Sequence, residues 1–325
     1  MAGNENGKNA LHLATHSGWY RFERRSENWQ QVDRALTFWQ MSCIQVDPDN
    51  PKRIYAGTEH SGMFVTDDGG KDWSRAEPNV PILEMSAMLA LPGKVMVGTR
   101  PAALYVRSDG SGWQEVKGIR QGALGGTFPP NPDLAPRTRV LTTEKASGNR
   151  IYAGIEVGGI LVSDDDGQSW TKCNDGLTDP DMHQILPAKN RPGLVVAACG
   201  EGVSRSTDRG SHWEKVTPPG GRTYGNALAE DDQGNIYLGI THDRPRTWLR
   251  AGRAKTAIFK SQDGANWQFL TDQMSGGVME MCTAADGDGV LVGTADGEVI
   301  KVDATGKTQT LVSGLPCING LALGA

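Results

Sequence analysis

The chain has 325 residues, a formal net charge of −5 and a sequence pI near 5.7. That balance gives no support to nonspecific nucleic-acid binding, and no apolar run approaches the roughly 18 residues of a membrane-spanning helix. Sparse cysteine (five, with no CxxC pair) excludes the usual zinc-ribbon and redox spacings, and 42 glycines suit many strands joined by tight turns.

Taken in order, residues 1–9 are polar and read as a disordered leader without the apolar core of a signal peptide. From residue 10 on, short apolar runs rich in β-branched residues recur: Leu11–Thr15, Ile54–Thr58, Val95–Thr99, Ile151–Ile155, Leu194–Ala198, Ile236–Ile240 and Val290–Thr294. Each is bounded by turn residues, as buried strands are. The inner-strand run Met41–Val46 matches Asp181–Leu186, with the same spacing to the run that follows. Two stretches exceed the basal spacing, residues 118–139 and 241–257, and both read as insertions on one face.

Between the runs lies a repeated turn, Ser/Thr-x-Asp-x-Gly-x-x-Trp. Full copies are Thr66–Trp73, Ser163–Trp170 and Ser206–Trp213; shortened ones are Ser108–Trp113 and Ser261–Trp267, and a worn one ends at Trp29. The carboxylate can accept backbone N–H groups of its own turn, the glycine supplies positive φ, and the tryptophan buries a ring at the next strand. Trp29 to Trp73 is 44 residues and Trp170 to Trp213 is 43, a period that marks four-stranded propeller blades. Seven runs therefore predict an all-β, single seven-bladed β-propeller over residues 10–325. The chain starts at a second strand, so the missing innermost strand is expected from Ile318–Leu323 at the C-terminus, which closes the ring.

The turns resemble the Asp-boxes of BNR-repeat propellers, a group that includes sialidases, sortilin-type receptors and photosystem II assembly factors. The resemblance covers nearly the whole chain and implies the fold. It says little of function, because in that family the motif lies away from the working face.

The working face is expected at the channel mouth, where each second strand ends. His16, Glu59, His60, Arg100, Glu156, Glu201, His242, Asp243 and Asp296 fall there, and Gln40, Glu84, Arg139, His183, Asn226, Glu280 and Asn319 are placed at one level of the inner strands. His16, His60, His183 and His242 come from separate blades and form a candidate site for Zn, Mn, Fe or Cu; the arrangement is similar to the four-His iron sites of carotenoid-cleaving propellers. No organic cofactor is indicated. Arg100, Arg137 or Arg139, Arg222 and Arg246 suggest an anionic ligand, with Trp39 and Trp248 as further binding residues. The sialidase resemblance implies three arginines on a sugar carboxylate and a Tyr-Glu nucleophile, which Tyr224 with Glu84 or Glu280 could imitate, although the N-terminal Arg-Ile-Pro motif is missing.

Three readings stay open at this point. One is a cytoplasmic lyase or hydrolase, metal-dependent or not, acting on a small carboxylated or sugar-like substrate, with His60, His183, Glu84 and Tyr224 as catalytic groups and Arg100, Arg139 and Arg222 on the anion. Another is a noncatalytic assembly propeller that takes a protein at its mouth, with Trp39, Phe128 or Trp248 as exposed anchors. The third is a sialidase-like, two-carboxylate glycosidase. No nucleic acid and no membrane partner is expected.

Overall fold

A computed structural model describes residues 9–26, 28–76, 80, 82–125, 135–144, 149–242, 244–245, 248 and 254–324. These residues form seven four-stranded antiparallel sheets arranged as a propeller. Six blades follow the chain. The first is composite: Ile318–Gly324 pairs with Ala10–Thr15 as its innermost strand, ahead of Gly18–Arg25 and Asn28–Ala35. The C-terminal strand thus closes the ring and removes the sheet edge a linear array would leave open. Residues 1–8 of the expected leader lie outside the described residues; Asn9 is already engaged, accepting from the Arg24 N–H.

The second strands bury every residue over Ile54–Thr58, Val195–Cys199, Ile236–Thr241 and Val290–Thr294. Packing between blades explains their composition. Branched side chains fill the interfaces, as where Val196 and Ala198 of blade five meet Leu238 and Phe259 of blade six. A glycine near the end of a run lets the next inner strand approach: a Cβ on Gly98 would stand 2.6 Å from the Thr138 side chain.

The repeated turns lie on the face opposite the mouth and are self-contained. Asp165 accepts from the Ser169 N–H at 2.8 Å and the Ser169 hydroxyl at 2.6 Å, which pulls its carboxyl down to about 2. Trp73, Trp170 and Trp267 each donate their indole N–H to the glycine carbonyl of the same turn. Four turns also seal against the preceding blade. A Cβ on Gly70 would meet Trp19 at 2.0 Å, on Gly167 Met96 at 2.8 Å, on Gly210 Tyr152 at 3.6 Å and on Gly264 Val196 at 2.6 Å.

Every inner strand carries a β-bulge near its start, read from the skipped residue in the pairing with the second strand. The bulged residues are Ser42, Ser86, Arg139, His183, Asn226, Met279 and Asn319, one from each blade. A bulge frees a residue from the ladder and re-aims its side chain. Five of the seven reach sideways to the next blade. Ser42 Oγ donates to Met85 O (2.5 Å), Ser86 Oγ to Thr138 O (2.8 Å), Asn226 Nδ2 to Val278 O (2.5 Å) and Asn319 Nδ2 to Met41 O (2.7 Å), and His183 Nδ1 lies 2.6 Å from Gly225 O. These clasps stitch neighbouring blades at one level of the channel. Arg139 and Met279 are the exceptions.

Two sequence readings need correction. Met41 aligns with Met182, not with Asp181, because the second strand of blade five starts at Val195 and not at Leu194. Gln40 therefore precedes its strand, and blade two contributes Ser42 at the expected level. The insertions are also shorter than predicted. Arg137 and Arg139 belong to the inner strand Arg137–Thr143, and Ala257 begins the strand Ala257–Ser261.

Candidate functional site

The inner strands surround a polar channel cavity of about 420 Å³. Six of the seven residues predicted at this level line it: Glu84, Arg139, His183, Asn226, Glu280 and Asn319. The seventh, Gln40, does not.

Arg139 organises the polar groups. Its bulge turns the guanidinium into the channel, where Nη1 lies 3.3 Å from Glu156 Oε2 and Nη2 donates to Asn226 Oδ1 at 3.2 Å. Arg137 Nε donates to the same Glu156 oxygen at 2.6 Å. Two guanidiniums thus share one carboxylate, and a net positive charge remains at the wall. Burial and the neighbouring Arg137 lower the Arg139 pKa. Burial alone would raise the Glu156 carboxyl, but the Arg139 and Arg137 charges hold it below its ordinary value.

Glu280 faces the same space from blade seven, one residue past Met279. Burial pushes its carboxyl up to about 7, offset in part by the Met281 N–H and the Arg139 charge. Its Oε1 lies 3.4 Å from Gln184 Nε2 of blade five. At the rim, Glu84 stands 3.5 Å from Arg100; burial raises its pKa against the pull of Arg100 and Arg137. Glu280 is therefore about half protonated near neutrality, while Glu156, behind the Arg137 and Arg139 side chains that line the cavity, is held ionised. Such a split is how two carboxyl groups acquire different chemical roles.

Behind this wall His183, Tyr224 and Asp181 form a buried group. Tyr224 Oη is 3.1 Å from His183 Nε2, and Asp181 Oδ1 is 3.5 Å from the same nitrogen. Burial pushes the Tyr224 hydroxyl up to about 12, so it stays protonated near neutrality and is a poor nucleophile. It pairs with His183, so the expected Tyr-Glu pair is not formed. Trp248 is 3% exposed and packs edge-on against Tyr224 at 5.9 Å. It is a buried brace from the second insertion, and not an exposed anchor. Trp39 is half-buried against Phe64, so it too serves packing.

The four histidines do not converge. His60 is exposed on the outer rim, 4.0 Å from Glu59, and His16 and His242 are exposed at the ends of their loops. His183 lies deeper, with Nδ1 committed to the blade clasp. Among the described residues no three His, Cys, Asp or Glu are grouped to hold a metal ion. His16 and His183 both line the channel cavity, whereas His60 and His242 do not. Arg222 is likewise diverted, with Nε on Lys255 O at 2.7 Å and Nη2 3.5 Å from Asp272. Phe128, Asp243 and Arg246 lie outside the described residues. Sequence reasoning missed Ser42, Ser86 and Asp181. Once the inner strands are aligned on Met41, Met85 and Met182, the serines could have been found as the polar residues that follow each methionine.

No protein-family model matches the chain. Among curated proteins it is similar to the oligoxyloglucan-reducing end-specific xyloglucanase of Emericella nidulans, 24% identical over 262 residues, 72% of this chain and 31% of that one. The chain thus spans about a third of that relative's length. Solved structures of similar fold include an ancestral GH74 enzyme (TM-score 0.63, 17% identity, 83% of this chain and 37% of that one) and the GH74 xyloglucanase from Xanthomonas campestris (0.63, 15%, 84% and 45%). YCF48 bound to D1 peptide matches at TM-score 0.57 and 14% identity, covering 93% of this chain and 85% of that one. These likenesses establish a seven-bladed propeller; the chemistry must be argued from the channel.

Proposed function

We propose that this chain is a glycoside hydrolase that takes a carboxylated sugar residue into the mouth of its channel. The observation that carries the reading is that two carboxyls, Glu280 and Glu84, line one cavity together with Arg137 and Arg139, and burial pushes Glu280 up to about 7 and raises Glu84. Glu280 would protonate the leaving glycosidic oxygen. Glu84, whose raised pKa makes it the stronger base, would activate water from the rim. The Arg137–Arg139 pair supplies a surplus positive charge for the substrate carboxylate. Similarity to a xyloglucanase supports the hydrolase class, while the arginines point away from a neutral glucan as the substrate.

The metal-dependent form of the enzyme expected from the four histidines finds no ligand group to support it among the described residues. The cytoplasmic placement stays part of the proposal and rests on five unpaired thiols, which suit a reducing compartment. A second reading, a noncatalytic assembly propeller, is favoured by the two-way coverage of the YCF48 match and by exposed Phe38, Leu83 and Val157 in mouth-side loops.

A panel of aryl glycosides separates the readings. The hydrolase reading expects release from aryl uronides and little from the neutral sugars. Absence of turnover on both, together with capture of a peptide at the mouth, supports the assembly reading instead.

A further inference from the structure

One residue past each bulge the inner strands form a second level of the channel. Five of the seven residues there are small or apolar; Gln184 of blade five and Glu280 of blade seven are the two that carry an amide or a carboxyl. They meet past blade six, where Gln184 Nε2 lies 3.4 Å from Glu280 Oε1, and both line the channel cavity. Each side chain also folds back on its own strand in the same way. The Ile185 N–H donates to Gln184 Oε1 at 3.0 Å, and the Met281 N–H donates to Glu280 Oε1 at 3.2 Å.

These contacts fix the direction of both groups. A backbone N–H can only donate, so the amide oxygen of Gln184 faces Ile185 and its NH2 faces Glu280. Two donors then converge on one oxygen, Glu280 Oε1, and an oxygen that already accepts two N–H groups is a poor place for a proton. Among the described residues no donor reaches Oε2. Of the titratable neighbours, Arg139 of blade four favours the ionised carboxyl, and the Cys43 thiol of blade two is pushed up to about 11 by burial and so stays protonated. Cys282, Glu84, His16 and His183 line the same cavity.

We propose that Gln184 is a positioning residue for Glu280: by holding Oε1 as the accepting oxygen, it leaves Oε2 to carry the acid proton. The inference rests on the reading of Glu280 as the group that protonates the leaving glycosidic oxygen. In that step the Oε2–H bond breaks and the proton passes to the glycosidic oxygen as its bond to the anomeric carbon breaks. Water supplies the new oxygen at that carbon and gives its proton to Glu84. The Glu280 carboxylate left behind keeps both donors on Oε1, so Gln184 supports the group most once the proton has gone.

Infrared difference titration of the full chain tests the placement without turnover, the Glu280 band being assigned by its loss in Glu280→Gln. In Gln184→Met the protonated carboxyl loses one donor to its carbonyl oxygen. Its C=O stretch should move to higher frequency, and its midpoint should rise by at least about half a pH unit, the equivalent of one weak hydrogen bond. Gln184→Lys restores a donor and adds a charge, so the midpoint should fall below that of the parent; a merely structural lesion would move both variants the same way. Melting curves show that each variant folds, and the lysine variant carries the test if the methionine variant does not. On an aryl uronide with a poor leaving group, kcat measured below the midpoint should drop on the order of tenfold in Gln184→Met, with KM little changed. The expected spectral shifts without turnover of any aryl uronide support the proton's place on Oε2 and overturn the hydrolase reading alone. Turnover that depends on Glu280, with stretch and midpoint unmoved in the Gln184 variants, overturns the role of Gln184 and leaves the hydrolase reading standing.

Discussion

Arg139 of blade four hydrogen-bonds Asn226 of blade six at 3.2 Å, reaching past blade five, while the Asn226 amide donates to Val278 O of blade seven. This contact joins the clasp ring to the site. Asn226 is both a structural stitch and the support that aims the Arg139 guanidinium. Removing it with Asn226→Ala should cost about 1–3 kcal/mol, because a buried carbonyl loses its donor. It should also weaken retention of carboxylated ligands. Denaturant unfolding and ligand titration on the same variant check both effects.

The five clasps make a graded prediction. Ser42→Ala and Ser86→Ala each remove one hydroxyl-to-carbonyl bond across a blade boundary. Each should destabilise by about 1 kcal/mol, whereas Met279→Leu, at an equivalent bulge without a clasp, should be near neutral. Equal losses at all three positions would mean that the ring does not act through these bonds.

His183→Ala should behave as a structural lesion first. The imidazole bridges Gly225 O and Tyr224 Oη, and its loss leaves two buried partners unsatisfied, at a cost of about 2–3 kcal/mol. His183→Gln, which can restore a donor to the carbonyl, should recover part of it. Thermal unfolding of the two variants decides between this role and a purely catalytic one.

The Glu280 carboxyl sets a pH dependence of stability. Its folded pKa, about 7, lies above the ordinary carboxyl value of 4.5, so the folded state holds a proton the unfolded chain has already released. The contribution is fully present below about 4.5 and is lost as pH rises through about 7, a change on the order of 3 kcal/mol before allowance for channel water. Glu280→Gln should remove this slope. Stability measured from pH 4 to 8 for both proteins checks it.

The fold was legible because its signals are repeated and local. The Asp-Gly-Trp turns and the apolar runs each recur with a fixed relation to one another, and the free strand Ile318–Gly324 matched a missing one at the other end of the chain. The channel level was legible to within two residues: Arg139, His183, Asn226 and Asn319 fall on bulges, Glu280 lies one residue past Met279, and Gln40 and Glu84 lie two residues before Ser42 and Ser86. What escaped was side-chain direction. A bulge leaves no mark in apolar periodicity, so Ser42 and Ser86 looked like ordinary strand residues, and His183 looked like a ligand when its Nδ1 is a clasp. Depth escaped as well, since His60 shares a blade position with Arg100 and Glu156 yet is far more exposed.

The most direct test of the hydrolase proposal is the pH profile of kcat/KM on an aryl uronide for the parent protein and for Glu280→Gln. The account predicts activity that falls above a pKa near 7 in the parent, and a loss of at least about a hundredfold in the variant on a substrate with a poor leaving group, the usual scale for a general acid. Full activity in Glu280→Gln, or a profile without that limb, would contradict it.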